Sequence, residues 1–324
     1  MAVKRKSSRP RQRRPAQAVP PIPPGSTASA AGTTQSAIVG APVAARGRVQ
    51  KTFIQVRILS GFTDAGHLDI LIGEYLGTLD AAARQQVTVA ADASRAFVST
   101  LPPFAPAGVV RQQVQSPHID MIRGDPLFAE TFGQRPHQFA LVDLRQLVAL
   151  QPWIEPRGDA IPATDAGRLA FALPTNWDVP AEVSFIAPAG PIQILTSSPA
   201  LQGLRADFDA QAGTVKLGPP KHLNLVQVAH LANRHYLLNG YHRVADALLA
   251  GITELPALVT EAVLGPQDIQ LRGDGMFNVG HILGLARPPL VADFHTAAAI
   301  SSRVRERRYG VLIDLVVKPL LIGV

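Results

Sequence analysis

The sequence predicts a mixed α/β protein of the α+β type, and three observations support this fold class. Of the 324 residues, 47% are hydrophobic and 17% are charged, which is typical of a globular chain with a sizeable core. Short runs of β-branched and apolar residues alternate with segments of helical spacing, and glycine or proline separates them. No run approaches the ~18 uninterrupted apolar residues that a membrane-spanning helix needs, so we predict no transmembrane segment.

The positive charge of the chain is concentrated at its beginning. Residues 1–50 contain nine lysines and arginines and no acidic residue, whereas residues 51–324 contain 22 basic and 24 acidic residues. We therefore predict that residues 1–50 are a disordered basic arm rich in Arg, Pro and Ala, followed by a nearly neutral body. The basic residues within 4–14 suggest nonspecific binding of nucleic acid. An acidic partner, an anionic membrane surface and a merely solubilising tail remain alternatives.

The chain contains no cysteine. This excludes disulfides, thiolate metal sites and thiol catalysis, and it favours a reducing cytoplasm as the location.

Behind the arm, we predict an N-terminal extension (51–135) and a main domain (136–324). The extension holds an apolar run (53–59) and a helix-like segment (68–79), neither of which suggests any chemistry. The main domain is predicted to open with a strand (139–142) and a short helix (143–150). Abundant Pro, Gly and Ala then indicate an insertion at about 155–220.

The most informative block follows this insertion. Its pattern predicts a strand (225–229), a turn at Asn233, a returning strand (235–238), a helix (241–250) ended by Gly251, and a further strand (256–259). Near the end of the chain, 311–317 resembles a closing strand. The alternating Arg303, Arg305 and Arg307 before it indicate either a solvated strand edge or a binding patch.

The turn at Gly240 carries the candidate chemistry. Glycine between a strand and a helix allows a sharp turn and a close approach of ligand to the main chain. The first turn of a helix offers N–H groups and the positive end of the helix dipole. Arg243 can grip a phosphate and His242 can donate to it or move protons, while Asp246 shares the helical face of His242 and could fix its tautomer.

The sequence thus predicts an anion site with two candidate catalytic residues, His242 and Asp246. The binding residues are Asn239, Gly240, Tyr241, His242 and Arg243. A purely structural alternative has Asn239 forming an Asx turn or helix cap and Arg243 lying on a solvated helix face.

Residues 235–259 resemble the core of the ParB/sulfiredoxin-like superfamily. Members have a strand, then Gly-x-His-Arg or Gly-x-Arg-Arg at the start of a helix, then a glycine and a strand that begins near a proline. The segment 140–151 resembles the family's opening strand and helix. The resemblance implies a nucleotide or phosphate at this turn, with Gly240, His242 and Arg243 in contact with it.

The departures from the family narrow this expectation. Tyr241 stands where sulfiredoxins have their catalytic cysteine, which excludes that activity. Ala245 stands where partition proteins have a further arginine, and the sequence of 260–324 shows no helix-turn-helix pattern. We therefore do not expect a function in chromosome partition. Kinase-like members need acidic residues, for which Asp143, Glu155 and Asp246 are the candidates.

We therefore expect the chain to bind a nucleotide or another phosphorylated small molecule. Whether Mg²⁺ takes part, and whether phosphotransfer or hydrolysis follows, stays open at this point. The alternatives are a non-enzymatic nucleic-acid-associated protein that uses the basic arm, or an interaction scaffold. We predict no metal site, because His230, His235 and His242 fall on different elements without a ligand motif.

Overall fold

The structure is a computed structural model that describes residues 53–177, 222–271 and 275–305, together with the backbone of the strands 182–185, 192–196, 205–209, 214–218 and 309–313. All of these residues belong to one compact unit, 50–324. The predicted arm (1–50), Arg307 and residues 314–317 of the predicted closing strand lie outside the described residues.

Helices and strands alternate along the described chain, which confirms the mixed α/β class. The helices are α1 (Ala65–Leu71), α2 (Ala81–Ser99), α3 (Pro117–Gly124), α4 (Pro126–Phe132), α5 (Asp165–Ala172), α6 (Tyr241–Leu249) and α7 (Val279–Gly284). The first seven strands are β1 (Phe53–Ile58), β2 (Val110–Gln113), β3 (His137–Asp143), β4 (Val148–Ala149), β5 (Trp153–Ile154), β6 (Glu182–Phe185) and β7 (Ile192–Thr196). The others are β8 (Arg205–Asp209), β9 (Thr214–Gly218), β10 (Gln227–Leu231), β11 (Arg234–Asn239), β12 (Glu254–Glu261), β13 (Ile300–Arg305) and β14 (Tyr309–Ile313).

A mixed sheet of six strands forms the centre of the molecule, in the order β2-β3-β12-β10-β11-β4. β10 and β11 form the predicted hairpin, and its turn residues Ala232 and Asn233 have φ values of 50° and 61°. Positive φ at both turn residues matches the twist of the flanking strands. β12 pairs in parallel with β10 on the side away from β11, so the connection from β11 to β12 crosses past β10, and α6 makes this crossover.

The described strands form three smaller sheets besides this one. β13, β1 and β5 form a three-stranded sheet, and Val56 and Ile58 on one of its faces pack with Leu71 of α1. β14, β7 and β6 form another, and β8 pairs with β9. The four strands β6 to β9 fall within the stretch predicted as an insertion.

The prediction of a short helix over 143–150 is wrong. The segment instead makes a single 3-10 turn (Leu144–Gln146) and continues as β4. All of its leucines are fully buried, so the segment lies within the core. Its main chain forms hydrogen bonds with other segments; the amide of Ala149, for example, donates to the carbonyl of Pro289. An apolar run buried on all sides has no face that distinguishes helix from strand.

The long helix α2 was not predicted at all. Its N-terminus has a capping signal, since the Asp80 side chain accepts from the amide of Ala83. However, Ala91 and Ser94 are its only fully buried residues, so the apolar periodicity on which helix prediction depends is weak. None of the described helices is long and apolar enough to cross a membrane.

Candidate functional site

The predicted strand, turn and helix form one continuous unit around Gly240. β11 runs into Gly240, whose φ of 91° and ψ of 18° are left-handed, and α6 begins at the next residue. A Cβ at this position would lie 2.9 Å from Cγ2 and 3.1 Å from Cα of Val226. Both the backbone and Val226 therefore require glycine. Val226 also fills the space beside this Cα where a ligand was expected to approach the main chain.

Asn239 and Tyr241 hold this turn in place. The Asn239 side chain accepts from the amide of Gly240 (2.8 Å) and donates to the carbonyl of Leu223 (3.2 Å). The buried Tyr241 hydroxyl donates to the carbonyl of Leu237 (2.6 Å) and accepts from the amides of Leu150 and Gln151 (2.8 and 3.1 Å). Burial raises the pKa of Tyr241. The hydrogen bonds of both side chains thus go to the protein's own main chain.

Arg243 reaches from the first turn of α6 to the last turn of α5. Its guanidinium donates to the carbonyls of Phe171 and Ala172, both at 3.1 Å, and to the side-chain oxygen of Asn224 at 2.9 Å. These acceptors are all uncharged. Burial, helped by the charge of Arg157, lowers the pKa of Arg243 to about 10, so the guanidinium stays protonated at neutral pH. The side chain is half-buried rather than solvated.

His242 lies against the segment that precedes α5. The amide of Glu155 donates to its Nδ1 at 3.3 Å, and the Trp153 ring lies 6.4 Å from its ring centre. Burial lowers the pKa of His242 to about 4, and the charges of Arg157 and Arg243 act in the same direction. The imidazole is therefore neutral at pH 7 and accepts protons poorly.

Asp246 binds the next part of the same segment. One carboxylate oxygen accepts from the amide of Gly158 at 3.3 Å, and the amides of Arg157 and Asp159 also stabilise the carboxylate. The other oxygen is buried without a hydrogen-bond partner among the described residues. Burial raises the pKa of Asp246. The expected contact of Asp246 with His242 is not formed, since each side chain binds main chain of 155–159 separately.

Arg157 is the residue at this site that the sequence did not reveal. Its charge acts on both His242 and Arg243, so it lies near the beginning of α6. Position 157 falls in a stretch of abundant Pro, Gly and Ala, and no spacing rule connects it to a helix that starts more than eighty residues later. Only the fold brings these basic side chains together.

The other candidate acidic residue, Asp143, lies elsewhere in an arginine cluster. Its carboxylate accepts from Arg111 (2.7 Å), Arg145 (2.9 and 2.7 Å) and Gln146 (3.1 Å). These bonds, chiefly those from Arg145, hold its pKa well below the usual range. Glu155 is near the site, but its contact with His242 comes from the main chain. The structure therefore does not assemble Asp143, Glu155 and Asp246 into one acidic group.

Of the three histidines considered for a metal, two lie side by side. His230 and His235 face each other across the β10–β11 hairpin with ring centres 4.7 Å apart, and Nδ1 of His230 lies 2.9 Å from Glu261. His242 is on α6. No three His, Cys, Asp or Glu side chains of the described residues form a group that could hold a metal ion.

Comparison of the chain with protein-family models, with curated proteins and with solved structures gives no match.

Proposed function

We propose that the beginning of α6 binds a phosphate-bearing ligand of the nucleotide class. The observation that carries this proposal is the convergence of Arg157, Arg243 and His242 at this helix end. The depressed pKa values of His242 and Arg243 reflect both burial and the charge of Arg157.

The charge of Arg243 lacks a matching negative charge among the described residues. Its guanidinium bonds to two carbonyls and one amide, and it forms no ion pair with a described carboxylate. The beginning of α6 adds the partial positive charge of its helix dipole. An anion placed beside Arg243 would offset the repulsion from Arg157 and accept charge-assisted hydrogen bonds.

We propose a nucleotide as the ligand because residues 235–259 resemble the ParB/sulfiredoxin-like core. In that family, the residues that correspond to Gly240, His242 and Arg243 contact phosphate. Because Val226 packs against Gly240, we place the ligand on the side of His242 and Arg243.

We confine the proposal to binding. His242, with a pKa of about 4, is a poor general base near neutral pH. Asp246 is 4% exposed and lies beneath the main chain of 157–159. Neither side chain is placed to transfer a proton to a bound ligand.

A purely structural role for Arg243 is the competing explanation, and Arg234 provides the comparison. Arg234 donates to the carbonyls of Ile282, Leu283 and Leu285 at the end of α7, just as Arg243 caps the end of α5. Cations stabilise the carbonyl end of a helix wherever it occurs. Arg234 therefore serves as a matched control that caps a helix end without belonging to the proposed site.

The test is calorimetric titration of the full chain with pyrophosphate, ATP and CTP, each with and without Mg²⁺. We expect one of these to bind, and Arg157→Ala and Arg243→Lys to weaken it by on the order of tenfold to a hundredfold. Arg234→Lys should leave the affinity unchanged. Absence of binding by wild type, or equal losses in Arg234→Lys and Arg243→Lys, would show that Arg243 is only a helix cap.

A further inference from the structure

The sheet formed by β13, β1 and β5 has one buried and one partly open face. β1 and β13 are antiparallel, with Gln55 opposite Arg303 and Arg57 opposite Ser301. Because side chains alternate along a strand, Phe53, Gln55 and Arg57 share a face with Ser301 and Arg303. The opposite face carries Val56 and Ile58, which are buried against Leu71.

The two ends of this second face differ. At one end Arg57 donates to the carbonyl of Phe294 (3.0 Å) and contacts Nδ1 of His295 (2.9 Å), so it is tied to the core. At the other end Phe53 is 46% exposed. On the partner strand Ser301, opposite Arg57, and Arg303, opposite Gln55, are exposed as well. An open cavity of about 380 Å³ runs along Phe53–Gln55 and Ser301–Arg303, which is within the size range of ligand pockets.

The side chains along this cavity have complementary chemistry. The guanidinium carbon of Arg303 lies 5.3 Å from the centre of the Phe53 ring. Beside them Nε2 of Gln55 donates to Oγ of Ser301 at 2.6 Å. An exposed aromatic ring, a cation and a pair of hydrogen-bonding groups are thus presented together on one strand surface.

We propose that this face binds single-stranded nucleic acid. An unpaired base can stack on the Phe53 ring, whereas a base within a duplex has no free face to offer. Arg303 can then bind the adjacent phosphate, and Gln55 and Ser301 can reach the base edge or the sugar.

The charge of this region favours a polyanion as the partner. β1 and β13 together contain three arginines and no acidic residue. The proposal is independent of the α6 site, because the two share no residue.

The test measures binding of the full chain to a fluorescent oligo(dT) of about 20 nucleotides and to a duplex of the same length, by anisotropy at moderate salt. The basic arm is present in every variant, so its contribution cancels. We expect Phe53→Ala to weaken binding of the single strand by about fivefold to a hundredfold, and Arg303→Ala to weaken it as well. Phe53→Tyr, which keeps the ring, should bind as wild type. Met121→Ala, at another exposed apolar side chain, should also have no effect.

Ultraviolet crosslinking to a bromouracil-substituted strand, followed by peptide mapping, locates the contact directly. Crosslinks at Phe53 support the proposal. Crosslinks confined to residues 1–50, or unchanged single-strand affinity in both Phe53→Ala and Phe53→Leu, overturn it and leave the arm as the binding element. Should Phe53→Ala fail to fold, Phe53→Leu keeps the bulk but not the ring, and its affinity for the single strand decides the question alone.

Discussion

Gly240 and Gly251 stand at the two ends of α6 with φ values of 91° and 76°. Their surroundings differ. A Cβ at Gly240 would meet Val226 at 2.9 Å, whereas a Cβ at Gly251 would have no atom within 4 Å. The pair therefore separates two reasons why a position requires glycine, namely backbone conformation and close packing.

We predict that Gly251→Ala lowers the free energy of unfolding by about 1–2 kcal/mol, because only the left-handed backbone opposes the methyl group. Gly240→Ala should cost about 1–3 kcal/mol more, because the methyl group also displaces Val226. Urea denaturation of both variants measures the difference. Gly240→Ala should cost less in a Val226→Ala background than in wild type, because the clash is then absent. Equal costs for the two glycines in wild type would contradict the steric role of Val226.

The residue types of this site were predictable from sequence, but their partners were not. Gly240 and Arg243 were singled out by their position between a strand and a helix. The acceptors of Arg243, the carbonyls of Phe171 and Ala172, are 72 and 71 residues away along the chain. A local pattern cannot show such contacts, and for this reason neither the phosphate site nor the structural alternative of a solvated Arg243 included them.

At the scale of elements, the sequence predicted an element correctly where one of its faces is clearly apolar and the other polar. α6 was recognised because Tyr241, Val244 and Ala245 form an apolar stripe that the structure buries. The segment 144–150 lacks this contrast, and its path is fixed by bonds to other elements. Two of these bonds join the segment to α6, since the amides of Leu150 and Gln151 donate to the Tyr241 hydroxyl.

We predict that Tyr241→Phe lowers the free energy of unfolding by about 1–3 kcal/mol. The substitution leaves no large cavity, but it deprives two main-chain amides of their acceptor. Hydrogen exchange at Leu150 should accelerate relative to wild type. Tyr236→Phe is the matched control, because the equally buried Tyr236 hydroxyl lies beside the Arg234 side chain and accepts no main-chain amide among the described residues. A loss as large in Tyr236→Phe would show that the amide contacts are not the cause.

At the scale of the whole molecule, the fold holds several histidines neutral. Burial lowers the pKa values of His235, His242 and His295 to about 4. A neighbouring basic side chain also repels the protonated form in each case: His230 beside His235, Arg157 beside His242 and Arg57 beside His295. These histidines lie on β11, on α6 and beside β1, so a change in their protonation affects the central sheet, its crossover helix and the neighbouring sheet together.

The sign of the resulting pH dependence follows from proton uptake. In the unfolded chain these histidines titrate near 6.5, above their folded pKa of about 4, so the unfolded state binds more protons between these values. We therefore predict that the free energy of unfolding falls as the pH decreases from about 6.5 to about 4.5. Burial raises the pKa values of Asp246 and Asp293, which opposes this trend near its acidic end.

Denaturation by urea across this pH range tests the prediction. Each contributing histidine adds at most about 1.4 kcal/mol per pH unit to the slope. His235→Gln removes one titrating side chain and should make the slope shallower, whereas His281→Gln, at an exposed position on α7, should leave it unchanged. The comparison uses slopes because either substitution can also shift stability at every pH. A free energy of unfolding that stays constant down to about pH 4.5, or equal slopes in the two variants, would contradict the assignment of neutral buried histidines.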